Sequence, residues 1–100
     1  MPQLITIWWR DIPMQVIARE GRRTEKRVLD KRFQFAIDKA AMNAGKKSYG
    51  DYIEEMRRAE RECGPDLLAE VEAELARLER AYTKAKLHEL IASGGEGARL

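Results

Sequence analysis

From Leu4 to Trp9 the chain is apolar except at Thr6, and five residues in succession, Ile5 to Trp9, are β-branched or aromatic. Such side chains suit a pleated surface, so the stretch predicts a strand. Alternation places Leu4, Thr6 and Trp8 on one face and Ile5, Ile7 and Trp9 on the other, and both faces are apolar. Asp11-Ile12-Pro13 ends this strand, because proline offers no amide hydrogen to a ladder. Met14 to Arg19 predicts a second strand, antiparallel to the first. Glu20-Gly21 supplies the next turn, and Arg22 to Leu29 forms a weaker third strand whose charges suit a solvent-exposed edge.

At Asp30, a good N-cap residue, the period changes from two to about 3.6. Phe33, Ile37, Ala40, Ala41 and Ala44 fall on one stripe, and Gly45 is placed to stop the helix. Phe35 and Met42 lie off that stripe, which predicts burial over a wide arc. Ser48 can cap a second helix with Tyr49, Tyr52, Ile53 and Met56 on its inner face, running to Gly64-Pro65. A last and longest helix starts near Pro65-Asp66. Leu68, Val71, Leu75, Leu78, Tyr82 and Ala85 form a heptad-like seam, which blurs around Leu87, Leu90 and Ile91 before Ser93-Gly94-Gly95 ends it. The expectation is an α+β domain over residues 1–95. It has a small antiparallel sheet of two to three strands packed against about three helices, the last one long, and a frayed tail at 96–100.

Composition narrows the setting. A chain of 100 residues, 44% hydrophobic and 36% charged, suits one soluble domain with one modest core. The apolar run that starts at Leu4 stops at Arg10, far short of the ~20 residues that span a bilayer. Cys63 stands alone, so no internal disulfide can form, which fits a reducing compartment, and the expected location is cytoplasmic. Residues 1–50 carry eleven Lys and Arg against five Asp and Glu; residues 51–100 carry eight against twelve. A basic front half and an acidic rear half suit solubility and intramolecular complementarity, or an acidic partner for the basic half.

The chemical constellations fall away when tested by spacing. His88-Glu89 opens like the zinc-protease helix motif, but Ala92 stands where the second histidine belongs. Cys63 has no companion thiol, and Gly94-Gly95-Glu96-Gly97 follows a helix, whereas a phosphate cradle needs a strand before it and a helix after it. No catalytic, metal or cofactor site is expected, which argues for a non-enzyme, or for an enzyme subunit that supplies no chemistry of its own. Two features remain. The first is Trp8-Trp9-Arg10. Either both rings are buried by helices, or one sheet-covering layer buries Trp9 and leaves Trp8 as a surface anchor, since Trp and Arg dominate interface energetics. The second choice makes Trp8, Arg10, Asp11 and Pro13 a partner-binding corner, joined by Arg22 and Arg23 of the basic strand. The second feature is that strand itself. Arg19, Arg22, Arg23, Lys26, Arg27, Lys31 and Arg32, interrupted by Glu20, Glu25 and Asp30, offer the alternative of RNA or single-strand nucleic-acid binding; a solvated edge strand accounts for the same residues. The favoured partner is a protein, with nucleic acid weak and no membrane. A monomer is favoured, because the sheet needs the apolar seam as its cover; pairing through the long helix is the alternative.

The segment from Pro2 to Pro13, with its Trp8-Trp9-Arg10-Asp11-Ile12-Pro13 core, is followed by Gln15-Val16-Ile17, Gly21-Arg22-Arg23, Phe33, Ala36-Ile37-Asp38 and Ala40-Ala41-Met42. These residues resemble the small bacterial family labelled virulence factor, a domain related to one in the longer conserved virulence factor C proteins. The likeness is strong over the first half of the chain and rests on helical character beyond it. The label describes a phenotype and implies no catalytic residues. Stand-alone members of that family tend to be encoded beside folate- and corrinoid-dependent methyl-transfer proteins, and the resemblance thereby implies an accessory subunit of one-carbon metabolism.

Overall fold

The computed structural model describes all residues, 1–100. Four strands and four helices follow one another as β1 (Gln3–Trp9), β2 (Ile12–Glu20), β3 (Arg23–Val28), α1 (Lys31–Asn43), α2 (Tyr49–Glu54), β4 (Met56–Glu62), α3 (Leu67–Ala81) and α4 (Lys84–Ala92). The sheet is antiparallel throughout, in the order β3-β2-β1-β4. The α+β class and the first three strands agree with the pattern of the sequence. No helix is long and apolar enough to cross a membrane.

The fourth strand corrects the second helix. That helix was expected to reach Gly64-Pro65; it stops after Glu54, and residues 56–62 pair with β1 from Gln3↔Glu62 to Trp9↔Met56. Met56-Arg57-Arg58-Ala59-Glu60-Arg61-Glu62 has no apolar stripe of either period. Its conformation comes from β1, whose buried residues need hydrogen-bond partners on both sides. β4 and β3 are the two edges, and both carry rows of charged side chains that discourage further pairing.

The last helix is two. Tyr82 leaves the helical region at φ −96° and ψ 80°, and the Thr83 hydroxyl accepts from the Lys86 amide at 3.2 Å, capping α4. The break turns Leu87 and Leu90 into the core against α1, where a straight continuation would carry them away. Along α3 the seam is used within the chain: Leu67, Val71 and Leu78 are buried, and Leu68 is exposed.

The core lies on the Leu4-Thr6-Trp8 face of β1, beside Val16 and Ala18 of β2, beneath Phe33, Ala36, Ile37 and Ala40 of α1 and the inner side of α3. This reverses the expected assignment, in which the Ile5-Ile7-Trp9 face met the helices. Ile5 is buried, paired across to Ile17 and Glu60, but stands outside that core. Pro13 also differs from expectation. It does not end the first strand but lies inside β2, opposite Trp8, where a bulge makes Met14 the extra residue. A bulge is a place where a ladder tolerates proline.

Candidate functional site

Both tryptophans are buried, Trp8 at 6% exposure and Trp9 at 0%. Trp8 as an exposed anchor is therefore overturned. The expectation failed because it allowed only one covering layer. Trp8 meets Tyr82 edge-on at 6.1 Å, and Tyr82 meets Phe33 in the same way at 6.2 Å. Trp9 is covered separately by α2 and by the turn after α4. It stacks on Tyr52 at 5.8 Å, donates from Nε1 to the Tyr52 carbonyl at 2.9 Å, and leaves no room for a side chain at Gly95. Trp8 Nε1 is the only buried side-chain polar atom without a hydrogen-bond partner.

The hairpin between β1 and β2 turns at Arg10, the one non-glycine residue with positive φ, at 50°. Several bonds hold it there. The Arg10 amide donates to the Glu55 carbonyl at 3.0 Å, its Nε to Glu55 Oε1 at 2.9 Å, and its Nη1 to the Gly94 carbonyl at 3.0 Å. Glu55 also faces Lys46 and Arg57, each at 3.6 Å. Burial pushes the Glu55 carboxyl up, but the Arg10 hydrogen bond and the three surrounding cations outweigh it and leave the group below its usual value of 4.5. The Arg10 guanidinium is thus committed inside the chain.

Asp11 sits beside it and receives the C-terminal segment. Its carboxylate accepts from the Gly97 amide at 2.9 Å and from Arg99 Nε at 3.0 Å. The tail expected to fray, residues 96–100, is held by these bonds, by Arg99 Nη2 on the Arg10 carbonyl at 2.9 Å, and by the Leu100 amide on the Tyr82 hydroxyl at 2.9 Å. Pro13 is fully buried. Arg22 and Arg23 are exposed but stand at the other end of β2, roughly 30 Å away for a nine-residue strand. Arg23 pairs there with Glu20 at 3.2 Å. The six residues grouped from sequence therefore form one corner of four, plus a distant pair.

The reactive types give no chemical constellation. No three His, Cys, Asp or Glu side chains cluster. Burial, with help from Glu70, pushes the half-buried Cys63 thiol above its usual value. Burial likewise raises the Tyr82 phenol.

A second place was not legible in the sequence. α1 and α4 pack side by side and leave a groove of about 610 Å³ between their outer faces. Arg32, Phe35, Ala36 and Lys39 line it from α1, and Lys84, Ala85, Leu87, His88 and Ile91 from α4. These positions recur at helical spacing, so each helix offers one stripe. The floor is apolar, four side chains on the rim are basic, and no carboxylate lines it. Lys39 Nζ lies 5.6 Å over the Phe35 ring. Arg32 is held by Asp30 at 2.9 Å, and Asp30, in the N-cap position, makes no side-chain cap bond. Phe35 and Met42, expected to be buried on a wide arc, are 59% and 60% exposed. Of the two, Phe35 lines the groove, and that large apolar side chain off the core stripe was the signal available in the sequence.

Comparison with protein-family models gives a match over residues 7–91 to the family described as virulence factor. No curated protein and no solved structure matches the chain.

Proposed function

The chain belongs to the virulence factor family, and we propose that it acts as a non-catalytic accessory module that docks a segment of a partner protein. The observation that carries this reading is the groove between α1 and α4. An apolar floor at the seam of two helices, bounded by stripes at i, i+3, i+4 and i+7, is the form in which one helix accepts another. A large exposed apolar side chain, Phe35, at such a place is a signature of association, and Lys39 and Lys84 of the rim favour an acidic segment. The Trp8 corner supports the role less well, because Trp8, Arg10 and Pro13 are committed to the chain's own packing. The gene neighbourhood that the family resemblance implies makes folate- and corrinoid-dependent methyl-transfer proteins the first partners to test, and the proposed location is the cytoplasm.

Nucleic-acid binding through β3 has less in its favour. Arg23 and Arg27 are paired with Glu20, Glu25 and Glu72, and no aromatic side chain stands beside them on the sheet to stack a base. Affinity purification from the native cell, with nuclease present, decides between the two. Proteins retained by the unaltered chain should be lost from a Phe35→Glu, Lys84→Glu variant, since both positions are exposed and the change reverses the groove's character. An identical set of proteins on both would sink the groove, and loss of all bound material on nuclease treatment would favour the nucleic-acid reading.

A further inference from the structure

We infer that the corner formed by Trp8, the Arg10 carbonyl and Asp11 is an arginine-reading site, occupied in cis by the chain's own Arg99 and able to accept an arginine-bearing segment of a partner protein in its place. This stands apart from the α1/α4 groove and does not depend on it.

The Arg99 guanidinium is read on one face and two edges. Its Cζ lies 4.5 Å over the Trp8 ring, its Nε donates to Asp11 Oδ1 at 3.0 Å, and its Nη2 donates to the Arg10 carbonyl at 2.9 Å. A planar cation with forked donors fits this combination of ring, carboxylate and carbonyl; the compact ammonium of lysine would lose one edge and the stacking. The main chain around it is read as well. The Gly97 amide donates to Asp11 Oδ2 and the Leu100 amide to the Tyr82 hydroxyl, each at 2.9 Å. The recognised segment is therefore Gly-X-Arg followed by one residue whose main-chain amide is read, in irregular conformation.

Receptor and occupant differ in kind. The receptor belongs to the packed hairpin: Arg10 is held in its left-handed conformation by Glu55 and Gly94, so its carbonyl is presented before any guanidinium arrives. The occupant has no secondary structure, every residue from Glu96 to Leu100 is exposed, and it lies outside the span matched to the family. It is held by charge-assisted hydrogen bonds and one stacked cation, with little apolar burial. Such a segment masks the site mainly because it is tethered, at an effective concentration on the order of millimolar.

The test uses the full chain and a fluorescein-labelled peptide of sequence EGARL. Arg99→Ala removes the cis guanidinium and should bind the peptide at least tenfold tighter than the unaltered chain. Adding Asp11→Asn to that variant, or replacing the peptide's arginine with its neutral isostere citrulline, should weaken binding at least tenfold. A second measurement needs no variant: in the isotopically labelled, unaltered chain, excess peptide should move the amide signals of Gly97 and Leu100 to those of a free segment. No gain in affinity on Arg99→Ala, or binding indifferent to citrulline, overturns the proposal. So do Gly97 and Leu100 signals that stay in place at millimolar peptide. A concentration-dependent dimer dissolved by Arg99→Ala would overturn the partner protein as source and assign the site to the tail of a second copy.

Discussion

Gly95→Ala should be the most damaging single-methyl addition in this chain, because two independent penalties meet there. Gly95 has φ +92°, and a Cβ built on it would lie 2.7 Å from Cζ3 and 3.1 Å from Cε3 of Trp9. An L side chain in a left-handed backbone costs roughly 1–2 kcal/mol. Forcing a methyl into a filled site costs roughly 1–3 kcal/mol more. The ring cannot step aside cheaply, since it is stacked on Tyr52 and bonded to the Tyr52 carbonyl. Gly45 isolates the first penalty: it has φ +74°, and nothing lies within 4 Å of its would-be Cβ. The stabilisation from a less flexible unfolded chain, about 0.4–1 kcal/mol, is common to both substitutions and cancels in their difference. Gly95→Ala should therefore be less stable than Gly45→Ala by about 1–3 kcal/mol. Gly94→Ala should fall between them, with φ +71° and a Cβ 3.2 Å from that of Ala44. Urea unfolding followed by tryptophan fluorescence measures this. With m of roughly 1–3 kcal/mol per molar, the two midpoints should separate by on the order of 1 M. Coincident midpoints for Gly95→Ala and Gly45→Ala would refute the reasoning and mean that the Trp9 ring yields.

The two tryptophans should respond differently to a smaller ring. Trp9→Phe loses a made hydrogen bond, about 0.5–1.5 kcal/mol beyond the cavity because the Tyr52 carbonyl keeps the Glu55 amide at 3.3 Å, whereas Trp8→Phe removes a donor that is already unsatisfied. Equal losses in urea melts would contradict this assignment. Glu55 should make stability pH-dependent. Its folded-state value lies below the usual 4.5, so its contribution is fully present above 4.5 and is lost as pH falls through the lower folded value. The gap between thermal melts of the unaltered chain and of Glu55→Gln should shrink only as pH falls below 4.5 through the folded-state value; a gap that does not narrow on acidification would count against the Arg10 pair. Cys63, raised above its usual 9.0 by burial, should react with a thiol reagent at pH 8 more slowly than it does in urea. Equal rates would show that the thiol is neither shielded nor shifted.

Alternation over Leu4–Trp9 and Met14–Arg19 was enough to place β1 and β2, and the Phe33–Ala44 stripe placed α1, because these patterns record burial within a few residues of themselves. Gly21 and Gly45 marked their turns, and Ser48 and Asp66 cap their helices, for equally local reasons. The family was legible too, in the run from Trp8 to Pro13. What escaped local reading was set by partners far along the chain. β4 is a strand because β1, more than forty residues earlier, needs a second ladder. The long seam breaks at Tyr82 because α4 packs on α1. Trp8 and Trp9, adjacent in sequence, are covered from different places, one by Tyr82 and Arg99 and the other by Tyr52 of α2 and the turn at Gly95. The groove and the Arg99 site have the same origin. Lys39 and Lys84, like Asp11 and Arg99, read as scattered surface charges until packing brings them to one place. Spacing along a chain encodes which side of an element is buried, but not which other element buries it.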